Sequence, residues 1–349
     1  MPERPANQRH EDNVRERIIA ILVSVLAVLA WERSAYAAGT AALPAPQGYH
    51  VVHGWPELPA GEDLGPVSGV DVDAHNRVFV FHRANRRWPA DDTLDLKPID
   101  RPTVTVFDGA TGKLLYSWGA NTFAMPHGLS VDPDGNIWLT DVALQQVFKF
   151  SPEGQRLMTL GERGVAGSDP YHFNRPTAVA VERDGSFYVS DGYLNTRVAK
   201  YSADGKFLFQ WGTKGAGPGQ FDLVHGVVLG RDRKVYVSDR SNGRIQVFDA
   251  TGHFLTQWSD PAIGRPYAVA LGADGRVFVA DGGDQPDRPP DRSALVVLGP
   301  DGSVLARIGR WGNQDGQMEM PHAVAIGPDG AVYVGDITGA RIQKFVPAQ

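Results

Sequence analysis

The amino-acid sequence predicts an all-β protein, a six-bladed β-propeller whose ring is closed by an N-terminal strand. Three observations lead to this prediction. A short unit recurs along the chain, each copy divides into short runs of alternating apolar and polar residues, and turn residues separate those runs. The 40 glycines and 25 prolines among 349 residues favour many turns over long helices.

The clearest copy of the unit spans residues 126–161, and residues 178–212 match it run by run. Four alternating runs joined by turns such as Asp134-Gly135 indicate a four-stranded antiparallel meander. Four-stranded repeats of roughly 40–50 residues are typical of propeller blades. Further copies begin near Val67, His225, Tyr267 and His322. The period, the Asp-Gly turns and the Arg-Ile/Val landmarks resemble NHL repeats.

The two ends of the repeat array complement each other. The sixth copy stops at Phe345 without a closing strand, whereas residues 49–55 form an unassigned strand similar to residues 209–212. We expect the N-terminal strand to complete the last blade, which would remove two free sheet edges.

The N-terminus has the layout of a secretory signal peptide. Arg15 and Arg17 precede an uncharged apolar run at residues 18–31, and small residues follow up to Ala37. The alternative is a membrane anchor, but the run is shorter than the roughly 20 residues that span a bilayer. We therefore expect a signal peptide at residues 1–37, a linker at 38–47 and the propeller at 48–349. The protein is then secreted or periplasmic, without membrane association after cleavage.

Composition limits the partners of the chain. The net charge of −6 is mild and no basic stripe is present, so nucleic acid is an unsuitable partner and a small molecule or peptide is favoured. We expect a monomer. Cysteine is absent, so an exported form would depend on burial and on any bound metal for its stability.

Histidine recurs at one position in every second repeat. The aligned residues are Ser68, His127, Thr177, His225, Tyr267 and His322. The first strand of each blade lines the central channel, so in a ring of six the three histidines should face one another at one level. Three imidazoles with an open fourth position are the ligands of a catalytic zinc site. The alternative is that each histidine packs between blades or caps a carbonyl.

A second aligned position lies at the end of the next strand in each blade. Five repeats carry aspartate there, which we interpret as a structural acceptor of backbone N–H groups. Arg83 and Arg240 share the next position, three blades apart, and should lie at the channel mouth. A guanidinium there suits a carboxylate or a peptide carbonyl, the alternative being a surface arginine. Of two long insertions, residues 84–101 suggest a functional rim and residues 282–292 a surface segment.

Tyr193 follows this position in the third blade. A phenol has a pKa of about 10, and it becomes a useful base at neutral pH only when nearby positive charge stabilises its anion. Zinc, arginine and tyrosine together suggest proton transfer at a hydroxyl group beside the metal.

These residues stand in motifs that resemble the peptidyl-α-hydroxyglycine α-amidating lyase domain of peptidylglycine α-amidating monooxygenases. The resemblance covers residues 48–345, and its motifs are residues 78–83, 125–129, 140–149, 190–195, 239–246 and 320–322. It implies zinc binding by the three histidines, Tyr193 as the catalytic base, and Arg83 and Arg240 as catalytic and substrate-binding residues, with Met320 also in the substrate site. The implied reaction converts a peptidyl-α-hydroxyglycine into a peptide amide and glyoxylate.

Three features depart from the family pattern. The family's disulfides and its copper-dependent hydroxylating domain are absent from this sequence. The residue after the third histidine is Ala323, where the family has an aspartate that holds a structural calcium with main-chain oxygens matching Val70 and Leu129. We therefore expect calcium binding to be weakened or lost. Two other functions remain open, a zinc-dependent hydrolase such as a lactonase, and a non-catalytic binding scaffold with a structural zinc.

Overall fold

A computed structural model describes residues 48–284 and 292–348, and within these ranges the protein consists of β-strands without an α-helix. The expected signal peptide and linker, residues 285–291 and Gln349 lie outside the described residues. No helix in the described ranges is long and apolar enough to cross a membrane.

The strands form six four-stranded antiparallel sheets, as the repeats predicted. Strand β1 (Tyr49–Val51) precedes the first blade. Blade 1 contains β2 (Val67–Val72), β3 (Arg77–His82), β4 (Val104–Asp108) and β5 (Leu114–Trp118). Blade 2 contains β6 (Pro126–Val131), β7 (Ile137–Asp141), β8 (Gln146–Phe150) and β9 (Arg156–Leu160). Blade 3 contains β10 (Pro176–Val181), β11 (Phe187–Asp191), β12 (Arg197–Tyr201) and β13 (Phe207–Trp211).

The second half of the ring repeats this arrangement, with two short parallel pairs between blades. The first pair is β14 (Thr213–Lys214) and β15 (Gln220–Phe221). Blade 4 contains β16 (Val224–Leu229), β17 (Val235–Asp239), β18 (Arg244–Phe248) and β19 (Phe254–Trp258). Blade 5 contains β20 (Pro266–Leu271), β21 (Val277–Asp281), β22 (Ala294–Leu298) and β23 (Val304–Ile308). The second pair is β24 (Arg310–Trp311) and β25 (Gln317–Met318), and blade 6 contains β26 (Pro321–Ile326), β27 (Val332–Asp336), β28 (Arg341–Pro347) and β1.

The predicted ring closure is confirmed. Strand β1 pairs antiparallel with β28, with Tyr49 opposite Pro347 and Val51 opposite Phe345. The last blade therefore takes one strand from the N-terminal end of the propeller and three from its C-terminal end. This pairing covers the outer edge that β28 would otherwise expose.

The residues of the second strand of each blade are more buried than those of the outermost strand, and the pattern of apolar residues in the sequence reflects this difference. The second strand of a blade is buried on both faces, as in β7, because each face packs against a neighbouring blade. The outermost strand β9 alternates between exposed and partly buried residues. Continuous apolar runs therefore mark the second and third strands, and strict alternation marks the fourth.

The repeated aspartate has the structural role expected of it. The buried carboxylate of Asp141 accepts hydrogen bonds from the N–H groups of Ala124, Met125, Ala143 and Leu144 at 2.7–2.9 Å. It thereby ties the segment that enters β6 to the turn that leaves β7. Since Pro126 pairs with Asp141, the start of the first strand and the end of the second lie at the same mouth of the channel.

Candidate metal centre at the channel mouth

Three buried histidines meet on the axis of the propeller. His127, His225 and His322 lie at the starts of β6, β16 and β26, and their ligand atoms all lie within 4.8 Å of one another. Their ring centroids are 4.7–4.8 Å apart in all three pairs. The alternation of histidine between repeats thus produces a three-fold arrangement of imidazoles at one level.

Each histidine is oriented by the blade that follows it. In all three, Nδ1 lies 2.7–2.9 Å from a main-chain oxygen at the aligned position of the next blade; the pairs are His127–Thr177, His225–Tyr267 and His322–Ser68. A carbonyl oxygen can only accept, so Nδ1 carries the proton and the Nε2 lone pair faces the axis. This is the orientation of metal-binding histidines whose other nitrogen donates to a carbonyl.

The electrostatic environment keeps the three imidazoles neutral. Burial lowers the pKa of His127 to about 3, with Arg83 acting in the same direction. Burial also places the pKa values of His225 and His322 well below the usual value, and the neighbouring histidines lower them further. Neutral imidazole is the form that binds a metal ion, so the three nitrogens have both the arrangement and the charge state of a donor set that can hold one.

The hydroxyl group of Tyr193 lies beside the histidine nitrogens that face the axis. Its oxygen lies 3.2 Å from Nε2 of His127 and 3.3 Å from Nε2 of His225. Burial raises the pKa of Tyr193, while the positive charges of Arg240 and Arg83 lower it. The two arginines therefore act in the expected direction, although burial has the larger effect on this pKa.

Arg83 is fixed beside the histidines. Its side chain is buried, Nε donates to the main-chain oxygen of Pro126 at 2.9 Å, and one terminal nitrogen has no hydrogen-bond partner. Burial lowers its pKa to about 10, so the guanidinium stays charged at neutral pH. A buried cation with an unused donor is suited to an anionic or carbonyl oxygen of a ligand.

Arg240 lies in the same mouth but has a partner. Its guanidinium forms an ion pair with Asp284 and stacks 4.0 Å above the ring of Tyr267. The hydroxyl group of Tyr267 donates to the same carboxylate at 2.7 Å and lies 3.8 Å from the sulfur of Met320. The interpretation of residues 282–292 as a surface segment is thus wrong for Asp284, which fixes the orientation of Arg240.

The insertion at residues 84–101 reaches over the mouth, as its suggested rim role requires. Trp88 stacks on Tyr193, with ring centroids 5.3 Å apart and planes inclined by 27°. Its indole N–H donates to Asp92 at 2.8 Å, and Asp92 also pairs with Arg175. Together these side chains enclose a cavity of about 660 Å³. Its wall includes Arg83, Trp88, Arg175, Tyr193, Leu194, Arg240, Tyr267, Asp284, Met320, His322 and Ile337.

The sequence did not identify Trp88, Arg175, Tyr267 or Asp284 as site residues. Trp88 and Asp284 lie in insertions that have no counterpart in the other repeats. Tyr267 does occupy the aligned histidine position in blade 5, and this alignment was a usable signal that it faces the axis.

The residues expected to form a calcium site lie deeper in the channel. Val70, Leu129 and Ala323 line an axial cavity of about 250 Å³ below the histidine ring. The Ala323 methyl group is buried in a cluster that includes Val67 and Val70, and it offers no oxygen. The main chain there can supply only neutral carbonyl ligands.

Comparison with known proteins agrees with this fold. The NHL repeat family model matches residues 123–150 and 221–248. A gluconolactonase from Xanthomonas campestris has the same fold, with a TM-score of 0.58 and 16% identity over 87% of this chain and 92% of that one. The fold and the histidines define the class of this protein, a six-bladed NHL propeller with an axial site able to hold a metal ion.

Two relatives identify the family within this class. Peptidyl-α-hydroxyglycine α-amidating lyase 2 of Drosophila melanogaster is 33% identical in an alignment of length 327 that covers 85% of this chain and 75% of the relative. Peptidyl-glycine α-amidating monooxygenase B of Xenopus laevis is 37% identical in an alignment of length 304 that covers 82% of this chain and 34% of that protein. The chain belongs to the peptidyl-α-hydroxyglycine α-amidating lyase family, and it spans about a third of the length of the monooxygenase.

Proposed function

We propose that the protein is a zinc-dependent lyase that cleaves a peptidyl-α-hydroxyglycine, or a related N-acyl carbinolamide, into an amide and glyoxylate. The observation that supports this function most directly is the position of the Tyr193 hydroxyl group, 3.2–3.3 Å from Nε2 of two of the three axial histidines. A proton acceptor and the donor set for a Lewis acid therefore share one point on the axis. The activity named for the Drosophila relative fits this arrangement.

The three histidines would hold zinc, which when bound polarises the substrate hydroxyl group. Tyr193 is placed to accept the proton of that hydroxyl group as its phenolate. The electrons of the O–H bond then form the C=O bond of glyoxylate, and the C–N bond breaks. The amide nitrogen takes up a proton, so the atoms balance without the addition of water. This reaction is an elimination and not a hydrolysis.

The arginines would act on the substrate and on Tyr193. The unused donor of Arg83 is suited to the α-carboxylate or an adjacent carbonyl, and the burial of Arg83 strengthens such a hydrogen bond. Arg240, held by Asp284, provides a second positive charge that favours the phenolate form of Tyr193. Met320 and Trp88 would contact the remainder of the substrate from the wall of the mouth.

The decisive test is an assay of purified protein with a peptidyl-α-hydroxyglycine. We expect equal amounts of amide and glyoxylate, loss of turnover with a chelator, and recovery on zinc addition. Release of a carboxylic acid that carries labelled water oxygen, in place of the amide and glyoxylate, would instead indicate hydrolysis of the acyl C–N bond. Lack of turnover in zinc-loaded protein, or turnover that a chelator does not change, would contradict the proposal. A lactone offered in parallel tests the hydrolase alternative.

We also propose that the chain is exported, on the evidence of the N-terminal pattern at residues 1–37. N-terminal sequencing of the protein recovered from the culture medium or periplasm checks this. Cleavage after Ala37 is the expected result, and an intact N-terminus in the cytoplasmic fraction would contradict it.

A further inference from the structure

The axial cavity below the histidines contains a single carboxylate, that of Asp71. Among the residues that line this cavity there is no lysine or arginine, and the histidines at its upper end are neutral. Asp71 forms no ion pair within the described part of the chain, and the nearby charge of Asp73 is also negative. The cavity therefore holds a partly buried carboxylate without a compensating cation, in a place where its charge is less well solvated than in water.

The carboxylate of Asp71 connects the innermost strands of blades 1 and 2. Oδ2 accepts a hydrogen bond from the N–H group of Val131 on β6 at 2.8 Å, and Oδ1 accepts one from the N–H group of Val72 at 2.8 Å. A carboxylate has about four acceptor positions, so each oxygen keeps a lone pair for another ligand.

Main-chain oxygens lie on the same strand edges. Asp132 donates its N–H to Asn136 across the β6–β7 hairpin, and in an antiparallel strand alternate residues point their N–H and C=O groups to opposite edges. Asp132 therefore faces β7, whereas Val131 and Leu129 point their N–H and C=O groups away from β7 and towards the channel. In blade 1, Asp73 donates to Arg77 in the same way, so Val72 and Val70 face the channel. The carbonyl oxygens of Val70 and Leu129 thus stand next to the carboxylate along two adjoining edges.

We propose that Asp71, with the carbonyl oxygens of Val70 and Leu129 and with water, forms a binding site for a divalent hard cation such as Ca²⁺. This site replaces the carboxylate missing at Ala323 with one from a different blade, so the expected loss of calcium does not follow from Ala323 alone. Calcium takes six to eight oxygen ligands in a flexible geometry. A cavity of about 250 Å³ has room for the ion and several waters of about 30 Å³ each.

The ion would join blades 1 and 2 at the axis. Leu129 lies on β6 two residues after His127, so a cation at this point would also fix the strand that carries one of the three histidines. Its role is structural and does not depend on the proposed lyase reaction.

Calcium binding can be measured on protein purified with its metal content intact. We expect equilibrium dialysis with labelled calcium to show one calcium ion per chain, and thermal unfolding to shift upwards as calcium is added. Asp71→Asn keeps the shape and one acceptor oxygen but removes the charge, and it should weaken calcium binding by about tenfold or more. The Tm of this variant without calcium should be equal to or above that of wild type, since an uncompensated charge has been removed.

Asp134→Asn is the matched control, because it removes the same charge from an exposed position three residues after Val131 and should leave calcium binding unchanged. Ala323→Asp adds a second carboxylate and should tighten binding. The proposal fails if wild type binds no calcium up to about 10 mM, well above the range of weak extracellular sites. It fails equally if Asp71→Asn binds as tightly as wild type. Should Asp71→Asn not fold, a crystal of wild type grown with calcium locates the ion, and an ion away from Asp71 overturns the assignment.

Discussion

Replacing Tyr193 by phenylalanine separates a catalytic role of its hydroxyl group from a packing role of its ring. The ring stacks on Trp88 and meets the edge of His127 at a centroid distance of 5.3 Å in both cases. Phenylalanine can make both contacts, so the mouth should keep its shape. The variant loses only the oxygen that lies 3.2–3.3 Å from the two imidazoles.

The size of the expected effect follows from this difference. Removing a buried hydroxyl group together with its hydrogen bonds lowers the free energy of unfolding by about 0.5–1.5 kcal/mol. A general base contributes roughly 10²–10⁴ to the rate, so its loss raises the activation free energy by about 3–5 kcal/mol. We therefore expect kcat to fall by about 10²–10⁴ while KM, the bound zinc and the thermal stability change little.

The assay is glyoxylate release from a hydroxyglycine-terminated peptide, with zinc per chain measured on the same sample. Tyr201→Phe serves as the control, because this buried tyrosine also loses one hydrogen bond, to the main-chain oxygen of Pro170, but lies away from the mouth. It should keep wild-type kcat. A fall of less than about tenfold in zinc-loaded Tyr193→Phe would refute the base assignment.

Three further predictions concern the metal, the arginine and pH. Alanine at His322, or at either of the other axial histidines, should sharply reduce zinc per chain measured by mass spectrometry, and full occupancy would contradict the site. Arg240→Ala should raise KM and lower kcat together, because the guanidinium would both bind substrate and stabilise the phenolate. Asp284→Asn keeps the positive charge of Arg240 but removes the ion pair that orients it, so it should change KM more than kcat. Burial lowers the pKa of His82 to about 4, so the folded state binds fewer protons than the unfolded state, and stability should fall as pH drops from about 6.5 through 4. His82→Gln should flatten that dependence, measured by urea unfolding, by up to about 1.4 kcal/mol per pH unit; an unchanged slope would contradict the neutral buried imidazole.

The features that repeat were the ones that could be predicted from the sequence. Equivalent residues of the repeats occupy equivalent positions in the blades. The placement of His127, His225 and His322 therefore follows from the alignment of the repeats and the number of blades. The placement of Arg83 and Arg240 at one mouth follows in the same way, because the end of β3 or β17 lies beside the start of its hairpin partner.

The features that occur once could not be predicted in this way. Asp284 lies in an insertion of blade 5, so no other repeat indicates that it turns inwards to meet Arg240 and Tyr267. Asp71 is charged whereas its equivalents Ser130 and Ala180 are not. This difference indicates a cation site only once the structure shows that no lysine or arginine lines the cavity beside Asp71. Both residues depend on contacts between blades that local patterns do not record.

The geometry of the site depends on the closure of the ring. Each axial histidine is oriented by a carbonyl oxygen of the next blade, and for His322 that oxygen belongs to Ser68, across the junction between the last blade and the first. The junction has no covalent connection other than the segment between β1 and β2, and the pairing of β1 with β28 holds that segment in place. Loosening this pairing would therefore release the Nδ1 hydrogen bond of His322 before those of His127 and His225, whose partners lie within the continuous chain. The N-terminal strand thus stabilises the fold and also helps to maintain the orientation of the third axial histidine.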